Sequence, residues 1–217
     1  MTKTYFNPGC ALSIYKPAVE NKILDFLNEN YGEVQLHKIC CRQNPQLESS
    51  LIINVCAGCD RRFRSLYEGI STISLWEILD GLNTYPFPDY HGLTRSVHDA
   101  CPVREKPQVH QAVRNLLRKM KIDIVETEFH GTSSVCCGDS FFPLLPVEQV
   151  RLQMKKRADS MPCDEVCVYC VSCIKSIYNG GKTPRYLVDL LFGETTEPQI
   201  YDTVKWHEQL QTYIDQH

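Results

Sequence analysis

Three observations predict an α/β fold made of two related small units, each with a parallel sheet. Short apolar runs alternate with helical stripes along the chain, cysteines recur in the same order in each half, and the cysteine groups follow apolar runs. Alternation of strand and helix argues for parallel strands joined by right-handed crossovers. In such sheets, ligand-binding groups collect beyond the carboxyl ends of the strands. The cysteine loops are therefore expected at those ends, and their repeated order points to an internal duplication. The spacing implies a shortened first unit over 1–85, a complete second unit over 92–192 and a helical tail over 193–217.

In the first unit a short extended piece, Thr4-Tyr5-Phe6, leads to Cys10. Pro17 sits near a helix start, where a missing N–H costs little, and Val19, Ile23, Phe26, Leu27 and Tyr31 form the apolar stripe of that helix. A strand over 33–37 leads to the vicinal pair Cys40-Cys41, and an apolar run over 51–55 leads to Cys56-Ala57-Gly58-Cys59. Such short apolar runs between polar segments read as buried strands of a parallel sheet. A short helix follows, then the apolar segment 75–79. The linker, 80–91, is rich in proline, aromatics and turn formers.

The second unit repeats the order. Ser96-Val97-His98 leads to Cys101, and Pro107 precedes a stripe of Val109, Ala112, Val113, Leu116, Leu117 and Met120. A strand over 122–125 leads to Cys136-Cys137-Gly138. An added helix over 146–158, with Val147, Val150 and Met154 apolar, lengthens this half. A strand over 166–169 then leads to Cys170 and Cys173, followed by a short helix and the segment 186–191. In the tail, Trp206, Leu210, Tyr213 and Ile214 fall on one side of a helix.

Hydrophobic residues make up 43% of the chain, charged residues 23%, and the net charge is −3. These are values of an ordinary globular protein. Lys and Arg are dispersed, which argues against a nucleic-acid partner. No apolar run approaches the roughly 18 residues of a membrane helix, and no signal peptide is read at the start. A cytoplasmic location is expected. The anomaly is then the count of 12 cysteines in 217 residues. A reducing compartment disfavours a disulfide framework, and vicinal cysteines make strained disulfides. Metal ligation or redox chemistry is the expected reason for them.

Each half offers five cysteines: Cys10, Cys40, Cys41, Cys56 and Cys59, then Cys101, Cys136, Cys137, Cys170 and Cys173. Structural zinc takes four ligands and ordinary cubane clusters also take four cysteines. Five, with a vicinal pair, suggests a cluster of unusual shape in which neighbouring thiolates bind different irons. Cys167, Cys170 and Cys173 begin a ferredoxin-like run, but no cysteine and proline continue it, since Ile177 and Tyr178 stand there. Cys163 and Cys167 are left over from the ligand series and read as buried structural cysteines, with a redox relay or a stray ligand as the alternative. His98 and Asp99 are candidates to hydrogen-bond the loop or the sulfurs, or to protonate a leaving thiolate. Arg61, Arg62 and Arg64 follow Cys59 and read as a solvated helix face or as an attractor for an anionic substrate. His37, His110, His130 and His207 carry no spacing signal and read as structural or surface residues.

The motifs Asn7-Pro8-Gly9-Cys10, Cys40-Cys41, Cys56-Ala57-Gly58-Cys59, His98-Asp99-Ala100-Cys101-Pro102, Cys136-Cys137-Gly138 and Cys170-Val171-Ser172-Cys173 together resemble the cysteine-rich CCG-domain proteins, above all the CCG-domain subunit of heterodisulfide reductase. The resemblance covers nearly the whole chain to about residue 192. It implies a noncubane [4Fe-4S] cluster held by five cysteines in each complete domain, and thiol/disulfide reduction one electron at a time. The first half departs from the pattern: Arg42 replaces glycine after the pair, and the following gap is short. There a second cluster, a zinc ion or nothing remain open. No G-x-G-x-x-G fingerprint is visible, so a ferredoxin or ferredoxin-like subunit is the expected electron donor. The rival expectations are an electron-transfer subunit without its own substrate site and a zinc-binding interaction module.

Overall fold

The computed structural model describes residues 2–38, 42, 45–198 and 202–217. The chain divides into two units, one of Met1–Leu75 with Lys205–His217 and the other of Trp76–Val204.

In unit 1, β1 (Lys3–Asn7) is followed by α1 (Cys10–Tyr15) and α2 (Pro17–Asn30), then β2 (Gln35–Leu36), β3 (Ser50–Asn54), α3 (Ala57–Leu66) and β4 (Ile70–Ser74). The four strands are all parallel in the order β2-β1-β3-β4. Pro17 opens α2, and Val19, Ile23 and Leu27 bury the stripe that the sequence predicts.

In unit 2, α4 (Leu75–Gly81), which begins at the boundary, precedes β5 (Thr94–His98), α5 (Pro107–Lys119), β6 (Asp123–Val125), α6 (Val147–Asp159), β7 (Glu165–Val168), α7 (Val171–Asn179), β8 (Thr183–Tyr186) and α8 (Leu187–Leu191). The strands are again all parallel, in the order β6-β5-β7-β8. The two sheets thus share one strand order. The α5 stripe is buried from Val109 to Leu117, and each such aliphatic side chain contributes about 1.5–3 kcal/mol. The segment α6 fills the longer gap before β7, as expected.

The structure adds to the sequence reading in three places. The segments 75–79 and 187–191 are helical, Tyr186 ending the strand before the second of them, and each is preceded by an edge strand, β4 or β8, that the apolar pattern does not reveal. Pro184 lies in β8, which an edge strand tolerates because one side of its backbone needs no ladder bond. Residues 82–93 are fixed to unit 2, since the Tyr85 and Tyr90 hydroxyls donate to the carbonyls of Leu191 and Leu190, at 2.6 and 2.8 Å. In the tail helix α9 (Thr203–Gln216), Trp206 is buried and Ile214 packs against Ile52, Cys59 and Phe63 of unit 1.

Candidate metal centre

In unit 2, two neighbouring parallel strands deliver three of the cysteines. β5 ends at His98, and Cys101 opens a short 3-10 turn three residues on. β7 ends at Val168, Cys170 is the N-cap of α7, and Cys173 lies in the first turn of that helix. The amide end of a helix favours a nearby thiolate. Cys136 and Cys137 do not follow a strand directly, in contrast to the sequence expectation. β6 ends at Val125, and a 3-10 turn at Gly131–Ser133 intervenes. This longer loop still carries the pair to the other three thiols.

The five sulfurs form one contiguous group. Hydrogen bonds link Cys101 to Cys136, Cys136 to Cys137, Cys137 to Cys173, and Cys173 to Cys170. A ring nitrogen of His98 and the sulfurs of Cys137 and Cys173 all lie within 4.8 Å of one another, with the three residues buried. All seven cysteines of unit 2 are free thiols.

Negative charge in this group centres on Cys136. Hydrogen bonds from Cys101 and Cys137 hold its thiol well below the ordinary range, against the opposing effect of burial. Ser140 Oγ lies 2.9 Å from the sulfur, and the Gly138 N–H donates to it at 3.3 Å. Cys101 and Cys137 are pushed up, chiefly because they share their hydrogen bonds with Cys136. Cys173 is pushed up by its hydrogen bonds to Cys137 and Cys170 and by burial. Sulfurs this close cannot all ionise without a cation between them. A soft metal would replace the shared protons, since thiolates are its preferred ligands.

Gly138 accounts for the third letter of the Cys-Cys-Gly motif. Its φ is +107°, and a Cβ there would stand 2.7 Å from the backbone nitrogen of Met154 and 3.0 Å from its Cα. The loop lies directly on α6, so only glycine fits. Gly138→Ala is expected to destabilise the protein by at least about 2 kcal/mol, from positive-φ strain and overpacking together. A urea unfolding midpoint within error of wild type would contradict this. The next residue, Asp139, pairs with the buried Lys175 of α7, which ties the loop to the helix that carries Cys173.

His98 and Asp99 are adjacent in sequence but have different tasks. Asp99 is fully buried and accepts a bidentate pair from Arg114 at 2.9 and 2.8 Å. It also accepts from the Tyr169 hydroxyl at 3.0 Å and from the Gly131 N–H. Asp99 thus ties the Cys101 loop to α5, to the residue after β7 and to the loop that leads to Cys136. His98 instead borders the sulfurs. Its Nδ1 accepts from Arg157 Nε at 3.0 Å, and its Nε2 is buried with no hydrogen-bond partner among the described residues. Burial and the neighbouring Arg157 lower its pKa to about 3, so it is neutral at physiological pH.

The cysteine spacing does not single out Arg157, Lys175, Arg114 or Tyr169. A signal for Arg157 is present all the same: it falls on the buried stripe of α6 with Val150, Met154 and Ala158. A charged residue at a core position needs partners. Of the two surplus cysteines, Cys163 lies ahead of β7, where its N–H donates to Ser96 Oγ at 2.9 Å. Cys167 is buried within β7, opposite Val97 and Arg185, and burial pushes its thiol up to about 12. His110 is buried, 3.1 Å from the Tyr169 hydroxyl.

In unit 1, Cys10 opens α1, Cys56 is the N-cap of α3 and Cys59 lies in the first turn of that helix. Gly9 (φ +76°) lets these segments meet: a Cβ there would stand 2.8 Å from Cys56 Cβ and 3.3 Å from Cys59 Sγ. Cys10 and Cys56 pack against the cluster of Ile52, Cys59 and Phe63. The structure therefore brings these three cysteines together, and Cys40 and Cys41 lie outside the described residues. A small cleft beside them is lined by Gly9, Cys10, His37, Lys38 and Cys59. Burial lowers the pKa of His37, whose ring meets Tyr5 edge-on. Arg64 pairs with Asp60 on its own helix at 3.0 Å.

Among the described residues, no helix is long and apolar enough to cross a membrane. No family model matches the chain, and no match is found among curated proteins.

Proposed function

We propose that the protein is an iron–sulfur oxidoreductase of the heterodisulfide reductase type, acting on a thiol/disulfide couple. The observation that carries this reading is the junction of five thiols from three separate segments in unit 2. Cys101, Cys136, Cys137, Cys170 and Cys173 would hold a noncubane [4Fe-4S] cluster there, because four-ligand zinc chemistry leaves a fifth thiol without a role. Bound in this site, such a cluster would supply electrons one at a time to a sulfur substrate. The chain itself positions the ligands through the Asp99–Arg114 and Asp139–Lys175 pairs and buries Cys137 and Cys173 away from water. Unit 1 would hold a second cluster through Cys10, Cys40, Cys41, Cys56 and Cys59, or a zinc ion. The matching order of cysteines and strands supports descent of the two units from one. A ferredoxin-like donor subunit would supply the electrons.

The closeness of His98, Cys137 and Cys173 favours a second reading, a zinc-binding module on the same residues. Purification without oxygen, followed by iron, sulfide and zinc analysis, separates the two. About four irons with sulfide per site are expected. Stoichiometric zinc without iron or sulfide would reject the cluster and support the module.

A further inference from the structure

We infer that Arg157 is a positioning residue that holds the proton of His98 on Nε2, so that His98 serves the sulfur site as a hydrogen-bond donor and not as a metal ligand. The inference rests on the reading that the unit 2 thiols bind a metal or cluster.

The geometry of one hydrogen bond carries the argument. Arg157 Nε lies 3.0 Å from His98 Nδ1. A guanidinium has only donors and does not deprotonate in proteins. Nδ1 must therefore spend its lone pair as the acceptor, and a neutral imidazole then carries its proton on Nε2. Metal-ligating histidines are arranged the opposite way: the second ring nitrogen donates to a carboxylate or carbonyl, which leaves the first free to ligate. Here the second nitrogen receives a proton donor, so Nε2 has no lone pair to offer.

The surroundings agree with this assignment. Nε2 is buried and has no hydrogen-bond partner among the described residues, in a ring that borders the sulfurs of Cys137 and Cys173. A buried N–H without an acceptor is costly, and a thiolate sulfur bound to metal would supply one. Arg157 is itself held firmly, with Nη2 donating to the Phe129 carbonyl at 3.0 Å and Nη1 to Ser160 Oγ at 3.3 Å. All three of its acceptors are neutral, and the residue is buried. The negative charges that face it are the Asp99 carboxylate first and then the sulfurs of Cys173, Cys137 and Cys136.

The test uses the full-length protein, reduced, metal-free and labelled with 15N-histidine. His98 is expected to show a protonated Nε2 and a pyridine-type Nδ1 across neutral pH, and Arg157→Met should redistribute the proton between the two nitrogens. The wild-type spectrum decides the tautomer even if that variant fails to fold; a proton on Nδ1 would overturn the inference. Cobalt(II) titration supplies the second reading. Wild type and His98→Ala should bind the same number of cobalt ions with the same ligand-field bands, while loss of the N–H donor shifts the thiolate charge-transfer bands and weakens affinity by about 10–100-fold. A change of ligand-field bands in His98→Ala would make His98 a ligand and overturn the inference. Absence of cobalt–thiolate absorption in wild type would instead reject the metal reading, while the nitrogen spectrum still reports the tautomer.

Discussion

Cys137→Ser protein purified without oxygen is expected to lose the metal of unit 2, with affinity reduced by more than about 100-fold. Loss of a residue that only orients a ligand costs about 10–100-fold, and Cys137 stands inside the sulfur group, between Cys136 and Cys173. Serine has nearly the same shape, so the fold should persist with a cost of about 1 kcal/mol. Cys163→Ala is the matched control. Cys163 lies ahead of β7, away from the end of the strand that delivers Cys170, and its removal should leave metal content and absorption spectrum unchanged. Elemental analysis together with circular dichroism makes the comparison. Full metal content in Cys137→Ser, or loss of metal in a folded Cys163→Ala protein, would refute the ligand assignment.

Asp99→Ala should cost the metal-free protein about 3–5 kcal/mol, the range for removing one partner of a buried ion pair. Arg114, Tyr169 and Gly131 would all lose their common acceptor. The same contacts set the response to acid. Burial alone would raise the Asp99 carboxyl, but hydrogen bonds from His110 and Arg114 outweigh it and hold the group far below its ordinary range. A depressed folded-state pKa stabilises the protein fully above the unfolded carboxyl value, about 3.9. That contribution is lost as pH falls below it. Urea unfolding at neutral pH and near pH 3 should show a steeper acid loss in wild type than in Asp99→Asn. A neutral-pH cost under about 1 kcal/mol for Asp99→Ala would disprove the anchoring role.

Much of this architecture is legible in the amino-acid order. The stripes of α2 and α5, the apolar runs of β1, β3, β5 and β7, and the two cysteine series are local patterns, and local patterns survive in one dimension. The two edge strands escape notice because β4 is only partly buried and β8 contains Pro184. Neither presents the continuous apolar run of a central strand.

The candidate site divides in the same way. Cysteine identity and strand order alone place Cys101, Cys170 and Cys173 at one edge of a parallel sheet, since side-chain direction and strand polarity follow from local rules. The arrival of Cys136 and Cys137 depends on a loop whose path is set by Gly138 against α6 and by Asp139 with Lys175. The roles of His98 and Asp99 diverge because one meets Arg157 and the other Arg114, partners 59 and 15 residues away. Periodicity shows that Arg157 lies on a buried face, but not what it meets there, and Arg114 falls outside the apolar stripe of α5 altogether. Those pairings are chosen only when helices and sheet pack, because a buried charge takes whichever acceptor the tertiary structure brings within reach.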